Sequence, residues 1–164
     1  MYKIGDYIVY RNDVCKIKNI KNNKINGITY YIMTPIDDES LIIDTLIDNK
    51  MGYIRNLISL EKANKLIDSI PNIKPIEDFS EKNLEYIYKD FLYKGSHIEL
   101  IKIIKTSYIR NNKRTKNRKR ISDKDDKYFR LAEKYLYNEL SIIFNMSFEE
   151  TKNYIYKRVC NYYK

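Results

Sequence analysis

The sequence of 164 residues contains no tryptophan, one histidine, two cysteines and four glycines. With His97 as its single histidine, the chain has neither the parts for a His-based catalytic triad nor those for a multi-histidine metal site. Its glycines do not form the GxGxxG or GxxxxGK[ST] pattern of phosphate-binding loops. We therefore expect a protein that is not an enzyme, with no catalytic residues, no metal site and no cofactor.

Cysteines and long apolar runs are equally scarce. Cys15 and Cys160 lie far apart and neither belongs to a CxxC pair, so we expect two reduced thiols, buried or half-buried. No run approaches the roughly 20 apolar residues that a membrane-spanning helix needs, and the first residues lack a signal-peptide pattern. These features predict a soluble cytoplasmic protein. We also expect no membrane among its partners.

The chain does contain abundant tyrosine and basic charge. Its 17 tyrosines suit half-exposed packing, and a codon bias towards AT-rich sequence explains them equally well. The net charge of +9 favours a polyanionic partner, either nucleic acid or an acidic membrane surface, and charge alone does not separate the two. Residues 1–58 carry 8 basic and 7 acidic side chains, whereas the remaining residues carry 23 and 15. The signal for a polyanion therefore lies in the second part of the chain.

Residues 1–58 show the pattern of short β-strands. Residues 14–20 alternate apolar and polar side chains with period two, which is typical of a half-buried strand. Asn26 and Gly27 tolerate positive φ and predict a hairpin turn. Further strands are predicted over residues 7–10, 28–33, 40–44 and 53–55. Five short strands in so few residues predict a strongly bent sheet or small barrel.

From residue 59 onward the apolar spacing becomes helical, and about five helices are expected. The first ends before Pro71, and the second begins after the N-cap Ser80 and stops at Gly95 in the left-handed conformation. The predicted buried face of the third helix consists of Ile98, Ile101, Ile104, Tyr108 and Ile109. The fourth is expected to bury Phe129, Ala132, Leu136, Leu140 and Ile143.

Two pairs resemble capping boxes, Ser122 with Asp125 and Ser147 with Glu150.

Together, the strand pattern and the helical spacing predict an α+β fold with two domains, a β domain over residues 1–58 and an all-α domain over residues 59–164.

Residues 100–122 contain nine basic and no acidic side chains. As a nucleic-acid footprint, these cations would neutralise phosphates and give salt-dependent binding with little base readout. The alternative is a solvated loop between two helices; we expect DNA contact. The residues predicted to bind DNA are Lys82, Lys102, Lys105, Arg110, Lys113, Arg114, Lys116, Arg118, Lys119, Arg120 and Arg130.

Several segments resemble CarD-type transcription regulators. The opening YKIGDYIVY at residues 2–10, with VCKI at 14–17 and KING at 24–27, is similar to the start of that family's Tudor-like β module. In the second half, GSHIELIKIIK at 95–105 and YIR at 108–110 resemble its helical domain. ISD at 121–123, AEK at 132–134 and NEL at 138–140 continue the similarity in the same order.

The resemblance implies that the β module docks on the RNA polymerase β subunit. It also implies that the helical domain contacts promoter DNA near the upstream edge of the melted region. The protein would then change open-complex stability as a monomer, and would lie in the cytoplasm, nucleoid-associated through the polymerase. The stretch that corresponds to the polymerase-facing strands gives the predicted contacts Lys24, Ile42, Ile43, Asp44 and Thr45.

The chain departs from the family at a tryptophan that many relatives place at the start of the helical domain. Phe79 or Pro75 would occupy that position, where an apolar side chain can wedge between base steps. The structural alternative for Phe79 is a hydrophobic staple at the start of the next helix. His97 is expected to lie at a helix start or on the surface.

Two other functions remain open at this stage. The same basic helices would suit an RNA- or ribosome-associated binding protein. The acidic residues Asp37, Asp38 and Glu39 could serve a metal-dependent nuclease, although a solvated turn is the simpler interpretation.

Overall fold

A computed structural model describes residues 1–23 and 27–160. The fold is α+β, with one antiparallel sheet followed by five helices. Contacts between Cα atoms divide the chain into two compact units, Met1–Ile58 and Ser59–Lys164. The division falls where the apolar spacing of the sequence changes from period two to helical. No helix within the described ranges is both long enough and apolar enough to cross a membrane.

The first unit contains a five-stranded sheet in the order β4-β3-β2-β1-β5. Neighbouring strands are antiparallel, and the predicted hairpin between β2 and β3 is confirmed, although Asn26 lies outside the described residues. The strands are β1 Tyr7–Tyr10, β2 Asp13–Asn22, β3 Thr29–Pro35, β4 Ile43–Leu46 and β5 Ile54–Arg55.

Alternate residues of the central strands form the core of this unit. Cys15 and Ile17 of β2 are fully buried against Tyr31 and Met33 of β3 and Ile8 of β1. The pairing of β2 with β3 shifts register between Ile17 and Asn19, and such a bulge bends the strand. The sheet is therefore bent, but β4 and β5 are its two edges and do not pair with each other to close a barrel.

The second unit contains five helices, as predicted, with a short 3₁₀ helix, Ile70–Asn72, after the first. The helices are α1 Leu60–Ser69, α2 Glu81–Lys94, α3 His97–Lys116, α4 Asp123–Phe144 and α5 Phe148–Cys160. The predicted limits of α2 are confirmed, because the Ser80 hydroxyl accepts from the Asn83 N–H and Gly95 adopts φ 64°.

The two predicted capping boxes differ in outcome. Ser147 and Glu150 form a complete box, in which each side chain accepts from the other residue's backbone N–H at 3.2 and 2.8 Å. Ser122 caps α4 by accepting from the Asp125 N–H, but its own N–H donates to Asn111 Oδ1 at 2.8 Å. The reciprocal half of this box was therefore wrongly predicted, since the Asp125 carboxylate has other partners.

The predicted buried face of α3 is wrong in most of its members. Ile98, Tyr108 and Ile109 are 51%, 60% and 51% exposed, and Ile104 is half-buried. The face that packs inward also includes small polar side chains: Thr106 accepts from the Ile76 N–H at 2.8 Å, and Ser107 donates to the Tyr88 hydroxyl at 3.2 Å. The buried residues of this face are Leu100, Ile101, Ile103, Thr106 and Ser107. In α4, Ala132, Leu136 and Leu140 are buried as predicted, whereas Phe129 and Ile143 are only half-buried.

Candidate nucleic-acid interface

Six basic side chains lie together at the end of α3 and in the loop before α4, and we call this cluster the basic tip. All are exposed except Arg114, which is half-buried and whose Nε donates to the Arg120 carbonyl at 2.8 Å. The helix continues to Lys116, so half of the tip is helical rather than part of a loop. The basic tip consists of Lys113, Arg114, Lys116, Arg118, Lys119 and Arg120.

The backbone of the tip is fixed by the way α3 ends. Arg118 adopts φ 55°, its N–H donates to the Thr115 carbonyl, and the Lys119 N–H donates to the Arg114 carbonyl, both at 2.9 Å. This pair of bonds is a Schellman motif, in which glycine is the usual left-handed residue. An ordered backbone therefore presents the cations, and an arginine holds the position where glycine would be unstrained.

The cations of the basic tip are not held in ion pairs by carboxylates of the described residues. Within residues 1–23 and 27–160, none of its six side chains forms an ion pair. One or two cations at a helix C-terminus are explained by the helix dipole. Six exceed that need and produce a local positive potential that can attract a polyanion.

Lys105, predicted to bind DNA, is instead used inside the second unit. Its ammonium donates to the Ile73 carbonyl at 2.6 Å and also to the Ile70 carbonyl. The Ile73 carbonyl directly follows the 3₁₀ helix, and the Ile70 carbonyl, at its first residue, also accepts from the Ile73 N–H at 3.1 Å. Burial lowers the pKa of the Lys105 ammonium. Lys105 therefore fixes the connector after α1.

Arg110 likewise makes internal contacts. Two of its guanidinium nitrogens donate to the Glu81 carboxylate at 2.8 Å each, and Nε donates to Asp125 Oδ2 at 3.0 Å. Asp125 is fully buried and also accepts from the Tyr88 hydroxyl at 2.9 Å. The bond to Glu81 raises the pKa of Arg110 and lowers the pKa of that carboxyl. This network joins α2, α3 and α4.

The remaining predicted DNA contacts lie away from the tip in sequence. Lys82 is exposed in the first turn of α2. Lys102 is half-buried, with Nζ 6.0 Å from the centre of the Phe91 ring. Arg130 is exposed and pairs with Asp126 one turn before it in α4 at 2.8 Å.

The two candidate wedge residues occupy different surroundings in the second unit. Phe79 directly precedes the N-cap of α2 and is half-buried, and the Arg110 guanidinium lies 5.3 Å from its ring centre. Pro75 is half-buried in the wall of an apolar groove. Phe79 therefore lies beside Arg110 of α3, whereas Pro75 faces a groove that α3 also lines.

Sequence reasoning missed this groove, whose volume is about 860 Å³. Its walls come from the connector, α3, α4 and α5, and no local pattern predicts how such distant segments meet. Glu133 is 7% exposed in the wall and accepts from Lys152 Nζ at 3.1 Å. Burial raises the pKa of this carboxyl in spite of the lysine.

In the first unit, the predicted polymerase contacts lie at the β4 edge of the sheet. Ile42, just before the strand, is 67% exposed, and Asp44 is exposed on the strand itself. Ile43 packs on the core, and Thr45 is half-buried. Leu41 and Leu46 add exposed apolar surface on either side. Lys24 lies outside the described residues.

His97 is the first residue of α3 and half-buried, and its Nε2 lies 2.8 Å from Oε2 of the buried Glu139. The acidic segment at residues 37–39 is exposed, with Asp38 accepting from the Ser40 hydroxyl at 2.6 Å. Among the described residues, no group of three or more His, Cys, Asp or Glu side chains is arranged to hold a metal ion.

A scan against protein-family models finds no match to this chain, and no curated protein is significantly similar to it.

Proposed function

We propose that this protein is a non-enzymatic transcription regulator of the CarD type. Its first unit docks on the RNA polymerase β subunit, and its second unit contacts promoter DNA near the upstream edge of the transcription bubble. The outcome is a change in open-complex lifetime with no chemical step. The basic tip is the observation that carries this proposal, because all of its cations except the half-buried Arg114 are exposed and none forms an ion pair within the described residues.

The tip suits the phosphate backbone better than it suits base edges. Lysine and arginine that neutralise phosphates release counterions, so binding weakens steeply with salt and depends little on sequence. Lys105 and Arg110 are engaged in internal contacts with the connector, Glu81 and Asp125, which leaves contact with phosphate to the exposed cations. The protein would therefore depend on the polymerase to place it at promoters.

The β4 edge supports the polymerase contact. Strand edges carry unpaired backbone groups, and an exposed edge is a common site for adding a strand from a partner. β4 pairs with β3 on one side only, and Ile42 and Leu46 are 67% and 40% exposed beside it. A partner strand with apolar side chains would bury these residues.

Phe79 is a better candidate than Pro75 for the apolar side chain that would wedge between base steps at the upstream edge of the melted DNA. Its ring offers more stacking surface than Pro75, and the adjoining Arg110 belongs to the helix that carries the basic tip. Pro75 faces the apolar groove instead.

The decisive experiment measures the lifetime of open complexes formed by the cognate polymerase, with and without the full-length protein. We expect the wild type to change the lifetime and Phe79→Ala to lose most of that change while duplex binding persists. Tyr156→Ala, which removes a different exposed aromatic ring, is the matched control. An unchanged lifetime with wild-type protein would contradict the proposal.

The second candidate, an RNA- or ribosome-associated protein, would use the same basic tip. A competition assay between structured RNA and forked promoter DNA separates the two. Tighter binding to the RNA would favour the second candidate over the first.

A further inference from the structure

Helix α2 carries a row of alternating lysines and tyrosines that the contacts described above do not use. Lys82, Tyr86, Lys89 and Tyr93 follow one another at intervals of four, three and four residues. At about 100° per residue, these spacings place all four within an arc of about 60°. We call this row the Lys–Tyr stripe; it extends for about 16 Å at 1.5 Å per residue.

The two tyrosines of the stripe are among the most exposed aromatic residues in the part of the chain that the structure describes. Tyr86 is 75% and Tyr93 is 91% exposed. Within the described chain, neither ring contacts another aromatic ring and neither hydroxyl forms a hydrogen bond. By contrast, Tyr88 of the same helix is fully buried, and its ring centre lies 5.1 Å from the centre of the Tyr128 ring. The stripe therefore presents two aromatic rings that are accessible to a ligand.

The lysines of the stripe are available to an anion. Lys82 is exposed and makes no ion pair within the described residues. Lys89 pairs with Glu85 at 3.1 Å, with the lysine side chain 63% and the glutamate side chain 45% exposed, and Glu85 has a second partner in the Tyr128 hydroxyl at 3.2 Å. Exposed pairs of this kind contribute little stability, so a phosphate can replace the carboxylate.

Cations that alternate with open aromatic rings fit unpaired nucleic acid. Single strands bind proteins by stacking bases on aromatic rings while basic side chains hold the phosphates. A duplex cannot offer its base faces to such a surface because they are stacked inside. The Cα atoms of Tyr86 and Tyr93 are about 10 Å apart along the helix axis at 1.5 Å per residue, so separate bases of one strand would contact the two rings.

The position of the stripe leads towards the basic tip. Glu81, next to Lys82, is bound by Arg110, which lies one turn before Lys113 in α3. The Lys82 end of the stripe therefore adjoins the cationic end of α3. A strand lying along α2 could continue onto the tip within the same unit.

We propose that the Lys–Tyr stripe binds single-stranded DNA, with bases stacked on Tyr86 and Tyr93 and phosphates held by Lys82 and Lys89. The inference rests on the proposed function in one respect, because the strand in question is the one exposed when a promoter melts.

The test compares the affinity of the full-length protein for a labelled oligo-dT of about 12 nucleotides with its affinity for a duplex of equal length. The double variant Tyr86→Ala/Tyr93→Ala should bind the single strand at least about tenfold more weakly, since two stacking platforms are lost. Its affinity for the duplex should change by less than about twofold.

Two control variants make the result specific. Tyr86→Phe/Tyr93→Phe keeps both rings and should bind the single strand within about twofold of the wild type. Tyr108→Ala/Tyr156→Ala removes two other exposed tyrosines, 60% and 69% exposed, and should leave single-strand affinity unchanged.

Several outcomes would overturn the inference. They are single-strand affinity unchanged in the alanine pair, equal losses for single strand and duplex, or tighter binding to oligo-U than to oligo-dT. The proposed function fails separately, if the wild type neither binds the duplex nor changes open-complex lifetime. In that case a selective single-strand loss in the alanine pair would still support the stripe.

Discussion

Asp125 is a residue whose role depends on contacts distant in sequence. Its backbone N–H donates to the Ser122 hydroxyl, while its carboxylate is fully buried and accepts from Arg110 and Tyr88. A buried carboxylate is tolerated only when charge and hydrogen bonds compensate for lost hydration. Arg110 supplies the charge, so we assign this arginine first to stability and not to DNA.

Arg110→Ala should therefore lower the free energy of unfolding by about 3 kcal/mol, because Asp125 would remain buried without its cation. Urea denaturation of the full-length chain measures this loss. Arg130→Ala is the matched control: it removes an exposed pair with Asp126 and should cost less than about 0.5 kcal/mol. Equal losses in the two variants would contradict the structural role of Arg110.

Arg118 offers a second test at the scale of one residue, since its left-handed backbone strains any side chain with a Cβ atom. Arg118→Gly should raise the free energy of unfolding by about 1 kcal/mol and weaken DNA binding. Arg118→Ala should weaken DNA binding equally but bring no gain in stability, because alanine keeps the strain. A stability gain in both variants would show that removal of the charge, and not the backbone, is responsible.

At the scale of elements, the sequence predicted what local chemistry determines. Alternation in residues 14–20 identified β2, and Ser80 with Gly95 marked the limits of α2, because caps and alternation act over a few neighbouring residues. The inward face of α3 was not predictable in this way. Ser107 is buried because its hydroxyl donates to the Tyr88 hydroxyl of α2 at 3.2 Å, a contact decided by how the helices pack.

The candidate site likewise combines features that the local sequence predicts with features that depend on how the helices pack. The basic tip could be predicted as a run of charges, but the charge pattern did not distinguish Lys105 and Arg110, which bind carbonyls and carboxylates, from cations that remain exposed. The groove and the Lys–Tyr stripe depend on how the helices pack and which of their faces stay exposed, so neither was recognised from the sequence.

Strand β4 carries the prediction that belongs to an element. Ile42→Lys should reduce copurification of the full-length protein with RNA polymerase at least about tenfold, because a charge replaces apolar surface at the docking edge. Duplex affinity should not fall. Ile4→Lys, at another exposed isoleucine of the same unit, is the control and should copurify normally. If both variants copurify like the wild type, the polymerase contact lies elsewhere.

At the scale of the whole molecule, charge is divided between the units. Residues 1–58 are nearly neutral, with 8 basic and 7 acidic side chains, and the excess lies in the remaining residues. A nearly neutral surface suits contact with one specific protein. A basic surface suits DNA, which it can bind at many positions because every phosphate carries the same charge.

The logarithm of duplex affinity should therefore fall with the logarithm of salt concentration with a slope of about −5, if the six cations of the tip each neutralise a phosphate. Lys113→Gln/Lys116→Gln should reduce the size of that slope by about 2. Lys62→Gln/Lys65→Gln, which removes two exposed lysines of α1, should leave it unchanged. Salt titrations by fluorescence anisotropy decide the matter, and an unaltered slope in the tip variant would exclude the tip as the binding surface.

The two cysteines differ in burial, which allows selective labelling of the folded protein with a thiol reagent. Cys15 is fully buried in the sheet, whereas Cys160 is half-buried in the last turn of α5 and belongs to the groove wall. A thiol-reactive dye should attach to one position in the folded chain and to two after unfolding in urea. Labelling at Cys160 would thus place a fluorescent reporter beside the groove without an engineered cysteine. The amount of dye bound beyond one equivalent would measure the fraction of unfolded molecules.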